Sequence, residues 1–253
     1  MFGYFIILPK LIGFVLHLLF GLLIVCVLNL LLGSQWYTKP FGGFVKQQWM
    51  KMLAIILNLK INHNGSLSKN PVVFVSNHIS WLDVVALGCD RNCVFVAKNS
   101  VKKWPLIGTI AKLNGTLFIN REDKKDIVKT LAKANNILAS GVSIAFFPEA
   151  TTTNGKVIKP FRTSLYQTAI HSSSNVQAIG IRYSDRKGKE SPAPYVDDET
   201  FIAHLFKVLK TPKIEVKLAY CKPVEINNSY NRKILAETTQ MQVAEILALP
   251  NPG

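Results

Sequence analysis

The segment Asn77-His78-Ile79-Ser80-Trp81-Leu82-Asp83 sets an imidazole and a carboxylate five residues apart, directly after the apolar run Val72–Ser76. A histidine leaving a strand end can have its Nδ1–H held by a carboxylate at the start of the next helix, which leaves Nε2 free to take a proton. The carboxylate would fix the tautomer and support the imidazolium. No G-x-S-x-G elbow or reactive-cysteine context accompanies it, so the nucleophile for such a base is the substrate's own hydroxyl. The same residues admit a second reading, because Ser80-x-x-Asp83 is also a capping-box pattern in which Asp83 only starts a helix. Taken alone, this motif leaves both readings open.

Two further strand-end motifs decide between them. The run Ser143–Phe147 leads into Phe147-Pro148-Glu149-Ala150-Thr151-Thr152-Thr153-Asn154-Gly155, and Thr116–Ile119 leads into Asn120-Arg121. With N-H-x4-D, and with Val176–Ile181 (VQAIGI) following, these resemble in order and spacing the glycerolipid acyltransferase family, over roughly residues 70–185. Bacterial members of that family include 1-acyl-glycerol-3-phosphate acyltransferases. The resemblance implies transfer of a fatty acyl group from a coenzyme A or acyl-carrier-protein thioester to a lysolipid hydroxyl, with no cofactor beyond that co-substrate. It implies His78 as general base, Asp83 as its orienter and Arg121 as ligand of the acceptor's phosphate, a role that suits a planar guanidinium. It implies that Glu149, Ala150, Thr151 and Thr152 shape the acceptor site. Blander readings stand beside these: Arg121 as a surface residue capping the next helix, and Glu149 as a carboxylate tied to local backbone N–H groups.

Three departures from the family pattern bear on the acceptor. Ala150 stands where the family has Gly, Thr152 where it has Arg, and Ala178 where it commonly has Pro. A related bacterial branch carries a Phe-Pro-Glu-Gly-Thr-Thr pattern and is similar to enzymes that acylate lyso-ornithine lipids. Arg121 favours 1-acyl-glycerol-3-phosphate as acceptor and phosphatidate as product; Thr152 favours an amino-acid lipid. Lys98, Lys102, Lys103 and Lys112 cluster within fifteen residues. They could meet coenzyme A phosphates, an acidic carrier protein or anionic headgroups, or could simply form a solvated face.

The elements that must position these groups alternate. Strand candidates are Val72–Ser76, Val94–Lys98, Thr116–Ile119, Ser143–Phe147, Val176–Arg182 and Ile214–Tyr220; helix-length segments are Trp81–Leu87, Pro105–Leu113, Lys124–Ala139, Thr163–Ser172, Thr200–Leu209 and Asn231–Leu249. Lys187–Pro194 (KGKESPAP) reads as a loop. The alternation predicts an α/β fold, a largely buried mixed sheet flanked by helices, with an N-terminal membrane helix. Ligands of such sheets lie beyond the carboxyl ends of the strands, where all three motifs fall.

Of the residues from Leu11 to Gly33, eighteen are strongly apolar. As a helix they would be about 34 Å long, enough for a hydrocarbon core of about 30 Å. A cleaved signal would have a shorter apolar run before a small-residue cleavage site. Trp36 and Tyr37 stand where an interfacial aromatic belt would lie, and Lys39, Lys46 and Lys51 outweigh Lys10, which places the rest of the chain on the cytoplasmic side; the resemblance to bacterial enzymes implies the bacterial inner membrane. Residues 41–57 repeat apolar side chains at helical spacing, either a core-packed or an interfacial helix. The expected organisation is a membrane-anchoring helix over 1–36, an amphipathic linker helix over 37–62 and the acyltransferase domain over 63–253.

The 253 residues carry 30 Lys plus Arg against 15 Asp plus Glu, a net +15 that points to an anionic surface such as membrane lipid. A non-catalytic, membrane-tethered module for anionic lipid would share this charge. No RNA- or DNA-recognition signature accompanies it, which argues against nucleic acid. Cys89-x3-Cys93 with His78 lacks a fourth ligand at a recognised zinc spacing, so no metal is expected. Four scattered cysteines do not make a disulfide framework.

Overall fold

Short β-branched runs, apolar on both faces, build the strands at the centre of the sheet, as expected for strands covered by helices on either side. The computed structural model describes residues 2–185, 191–196, 199–227 and 229–250. Its strands are β1 (Leu59–Asn64), β2 (Val73–Ser76), β3 (Cys93–Lys98), β4 (Leu117–Ile119), β5 (Ser143–Phe146), β6 (Val176–Asp185) and β7 (Ile214–Tyr220). They form one seven-stranded sheet in the order β1-β7-β6-β2-β5-β3-β4. All neighbours are parallel except β6 and β7, so the sheet is mixed.

The helices are α1 (Phe2–Leu32), α2 (Pro40–Ile56), α3 (Leu82–Asp90), α4 (Ile107–Leu113), α5 (Lys124–Ala139), α6 (Gln167–His171), α7 (Phe201–Lys210) and α8 (Arg232–Leu247). Alternate strand residues feed two cores. Phe74, Phe95, Ala145, Ile179 and Val216 pack with α1, α2, α3 and α7. Val73, Val75, Val94, Ile144 and Val176 pack with α5, α6 and α8. The period-two alternation of a strand thus becomes a three-layer sandwich. Residues 187–190 of the expected loop lie outside the described residues.

The amino-terminal segments differ from expectation in three ways. The linker helix ends at Ile56 rather than near residue 62, because Asn58 takes a left-handed φ of 52° and stops it. Leu59–Asn64 then adds β1 to the sheet edge beside β7. Trp36 is buried, its indole N–H donating to the Leu113 carbonyl at 3.2 Å, so it belongs to a small core with Val25 and Leu28 and not to an exposed aromatic belt. Finally, α2 is partly inverted. Lys46 and Gln47 turn toward the protein, where Lys46 Nζ donates to the Cys93 carbonyl at 2.6 Å and Gln47 Nε2 to the Cys89 and Asp90 carbonyls, both at 2.8 Å. Phe41, Phe44, Met52 and Ile55 face outward.

Helix α1 lies along the domain rather than projecting from it. Lys10 Nζ donates to the Leu209 and Thr211 carbonyls at 3.3 and 2.8 Å, and near the helix's other end Asn29 Nδ2 reaches the Leu113 carbonyl at 3.5 Å. Gly21 lets it close on α2, since a Cβ there would fall 2.5 Å from the Trp49 ring nitrogen. Ile7, Phe14, Leu18, Val25 and Leu28 face inward, while Leu8, Ile12, Leu16, Leu19, Leu23 and Leu30 remain exposed.

Candidate active site

From β1 at one edge the chain crosses to β2 in the middle of the sheet, skips a place to β3, adds β4, returns to fill the gap with β5 and crosses to β6. That path sets the carboxyl ends of β2, β5, β3 and β4 side by side. His78 follows β2, Phe147–Thr152 follow β5, Lys98 ends β3 and Arg121 follows β4.

His78 Nδ1 lies 2.8 Å from Asp83 Oδ2, and Asp83 is fully buried. The same carboxylate oxygen accepts the backbone N–H groups of Ile79 and Ser80 at 2.8 and 3.0 Å, and Oδ1 accepts the Tyr183 hydroxyl at 2.8 Å. Asp83 therefore both braces the start of α3 and contacts the imidazole. The capping box is only half made, because Ser80 Oγ has no partner among the described residues. The His78 ring stacks on Phe147 with centroids 4.0 Å apart, which limits its rotation and leaves Nε2 for a substrate.

Glu149 is buried and does not line the cavity described below. Its two oxygens accept the His78 N–H at 2.6 Å and the Lys159 N–H at 2.7 Å, so it pins the backbone of the histidine to the β5 loop. Burial pushes its carboxyl up to about 7, against the opposing effect of those two hydrogen bonds. Ala150 has a φ of 63°, the left-handed conformation that the family's Gly accommodates without strain. The loop thus keeps its bend, and Ala carries the strain. Thr151 is exposed at the cavity wall, whereas the Thr152 hydroxyl donates to the Tyr195 carbonyl, tying the loop before α7 across the site. Tyr195 N–H in turn donates to the Ile79 carbonyl at 2.9 Å.

Arg121 is half-buried, and its Nε is enclosed with no partner among the described residues. The cap of α5 is Asp123, not Arg121. Burial and, less, the Arg162 charge lower the Arg121 pKa, as expected of a cation with no counter-ion among the described residues. Arg162 is exposed, and its N–H donates to the Pro148 carbonyl at 3.0 Å, beside the Glu149 motif. Of the four lysines, Lys98 alone lines the cavity; Lys102, Lys103 and Lys112 are exposed outside it.

These groups open on a cavity of about 390 Å³. His78, Trp81, Arg121, Thr151 and Thr152 contribute at the strand ends, and Phe14 and Leu18 of α1 with Trp49, Met50 and Leu53 of α2 complete an apolar wall. A volume of this size suits a flexible apolar ligand. Sequence reasoning missed Tyr183, which bonds Asp83, and Lys46, which lines the cavity, and it quoted Phe147 within its motif without assigning it a role. Arg162 had a local signal, a cation soon after the Glu149 motif.

A His–Asp pair at a strand end stands beside an apolar cavity and an arginine with no counter-ion among the described residues, and the chain belongs to the Acyltransferase family, whose model matches residues 58–182. Among its relatives, the 1-acyl-sn-glycerol-3-phosphate acyltransferase of Neisseria gonorrhoeae is 29% identical over 78% of this chain and 77% of its own. The lyso-ornithine lipid O-acyltransferase of Pseudomonas aeruginosa is 31% identical over 81% of this chain and 78% of its own. The fold matches the crystal structure of the 1-acyl-sn-glycerophosphate acyltransferase from Thermotoga maritima, with a TM-score of 0.66 and 17% identity over 96% of both chains.

Proposed function

We propose that this chain is a membrane-associated O-acyltransferase that moves a fatty acyl group from a coenzyme A or acyl-carrier-protein thioester to the free hydroxyl of a lysolipid. The carrying observation is an imidazole held by a buried carboxylate at the mouth of an apolar cavity. His78 Nε2 takes the acceptor hydroxyl's proton as its oxygen attacks the thioester carbon. The C–S bond then breaks, and the departing thiolate recovers the proton from the imidazolium. Asp83 stabilises that imidazolium and remains ionised.

Lysophosphatidate is the favoured acceptor. Thr152 leaves out the family's arginine, but Arg121 keeps a guanidinium at the cavity, with the Arg162 charge near enough to act on it, and a guanidinium fork suits a phosphate. A second reading, acylation of a lyso-ornithine lipid, rests on Thr152 and on the relatives named for that reaction. The membrane reading follows from the exposed apolar residues of α1 and α2. A helix bonded to the domain from Lys10 to Asn29 cannot stand across a bilayer without dragging the domain in, so α1 and α2 lie in one leaflet. The lysine excess beyond α1 favours the cytoplasmic leaflet, whose anionic lipids attract it.

Purified protein in mixed micelles, supplied with labelled acyl-coenzyme A or acyl-carrier protein and a panel of lysolipids, tests this. Phosphatidate is the expected main product, and Arg121→Ala and Arg162→Ala are expected to raise KM for lysophosphatidate. A clear preference for lyso-ornithine lipid would reverse the choice of acceptor.

A further inference from the structure

Tyr183 does not line the cavity, and the reaction above gives it no part. Its place is fixed by β6. Two residues before it, the Ile181 carbonyl accepts Asn77 Nδ2–H at 2.9 Å and the Ile181 N–H donates to Asn77 Oδ1 at 2.7 Å, so β6 grips the residue next to His78. Side chains alternate along a strand, so Tyr183 leaves β6 on the same side as Ile181, and both join the core that packs on α3. There its hydroxyl meets Asp83 Oδ1 at 2.8 Å.

The two oxygens of Asp83 are served unequally. Oδ2 has three partners, His78 Nδ1 and the N–H groups of Ile79 and Ser80, whereas Oδ1 has the Tyr183 hydroxyl alone among the described residues. Asp83 is fully buried, so bulk water cannot stand in for that hydroxyl. Burial and the Asp83 charge both raise the Tyr183 pKa, and the phenol therefore stays a donor. A donor on Oδ1 favours the carboxylate over the acid. It does so most while the imidazole is neutral, because an imidazolium offsets part of the negative charge. Losing the hydroxyl would favour proton uptake by the pair, and a pair that already holds a proton is the weaker base.

We propose that Tyr183 is a positioning residue that sets the acid limit of the reaction, its hydroxyl keeping Asp83 a carboxylate and His78 Nε2 open to the acceptor's proton. This rests on the His78–Asp83 reading above. Other titratable or charged groups face the pair: Glu149 from the β5 loop acts on both members, and Lys46, Lys98, Arg121 and Tyr195 line the cavity on which His78 opens. Among the described residues Tyr183 donates to Asp83 and to none of these, so a change at Tyr183 acts on the pair against a constant background.

The test is the pH dependence of kcat/KM for full-length wild type and Tyr183→Phe in mixed micelles, with acyl-coenzyme A as donor and lysophosphatidate and lyso-ornithine lipid as parallel acceptors. The acid limb of that profile reports the base of the free enzyme. Tyr183→Phe should move the limb up by about one pH unit, the size expected of one hydrogen bond to a charged group. Below the limb this is about a tenfold loss, and above it most of the wild-type rate should return. Tyr183→fluorotyrosine keeps the ring and makes the phenol a stronger donor, so it should move the limb the other way. It decides the matter if the Phe variant fails to fold. Loss by the same factor at every pH, with the limb in place, would reduce Tyr183 to a brace between β6 and α3 and overturn the proposal. Absence of transfer by wild type to both acceptors at every pH would instead remove the acyltransfer reading, and this role with it.

Discussion

The arrangement around Asp83 separates two effects that a single substitution usually confounds. In Asp83→Asn the amide oxygen can still accept the Ile79 and Ser80 N–H groups while the amide nitrogen meets the Tyr183 hydroxyl, which can accept. This variant should stay folded yet lose support for the imidazolium. His78→Ala should cost about 10²–10⁴-fold in single-turnover acyl transfer, roughly 3–5 kcal/mol of barrier. A folded His78→Ala enzyme with near-normal transfer would sink the general-base assignment. Glu149 carries a pH signature. Its folded pKa of about 7 lies above the 4.5 of an ordinary glutamate, so between these values the folded state holds more protons than the unfolded one. Stability therefore falls as pH rises through that window, by up to about 1.4 kcal/mol per pH unit, and levels off above it. Urea midpoints from pH 4 to 8 should show this slope in wild type and not in Glu149→Gln; parallel curves would refute it.

At the scale of elements, the contact between α1 and α2 gives a prediction whose sign discriminates. Gly to Ala in a helix interior ordinarily stabilises by about 1 kcal/mol. Gly21 is different, because an added Cβ meets the Trp49 ring at 2.5 to 2.9 Å. Gly21→Ala should therefore lower the melting temperature and change Trp49 fluorescence as the helices separate. A stabilised variant would mean that α1 does not dock as described. The same pair shows where periodicity stops being informative. The helical stripe of residues 41–57 is visible in the sequence, but both a protein core and a lipid leaflet accept apolar side chains. The inward turn of Lys46 and Gln47 is set by the carbonyls of Cys93, Cys89 and Asp90, which lie more than forty residues along the chain. The edge strand β1 was hidden for a related reason: its alternation is short, and its pairing partner β7 is about 150 residues away.

Across the whole molecule, the exposed apolar faces of α1 and α2 should hold the protein on membranes through a wash in 1 M salt. Salt screens lysine attraction to lipid, with a Debye length of about 3 Å at 1 M, but leaves apolar burial in place. Quantitative release of intact chain by salt alone, measured by sedimentation, would reduce the attachment to electrostatics. The sequence by itself determined the alternating α/β order, the strand ends and the three motifs placed at them, because each is a local pattern of side-chain types read over a few residues. It also determined that an unusually apolar helix begins the fold. Tertiary structure alone decided that this helix lies along the domain, that the Tyr183 hydroxyl and the Phe147 ring brace the dyad from other strands, that the Arg162 charge acts on Arg121 and that Lys46 turns into the cavity wall. Those are contacts between residues distant in the chain, and their energies depend on which surfaces the sheet brings together, a quantity that no local pattern contains.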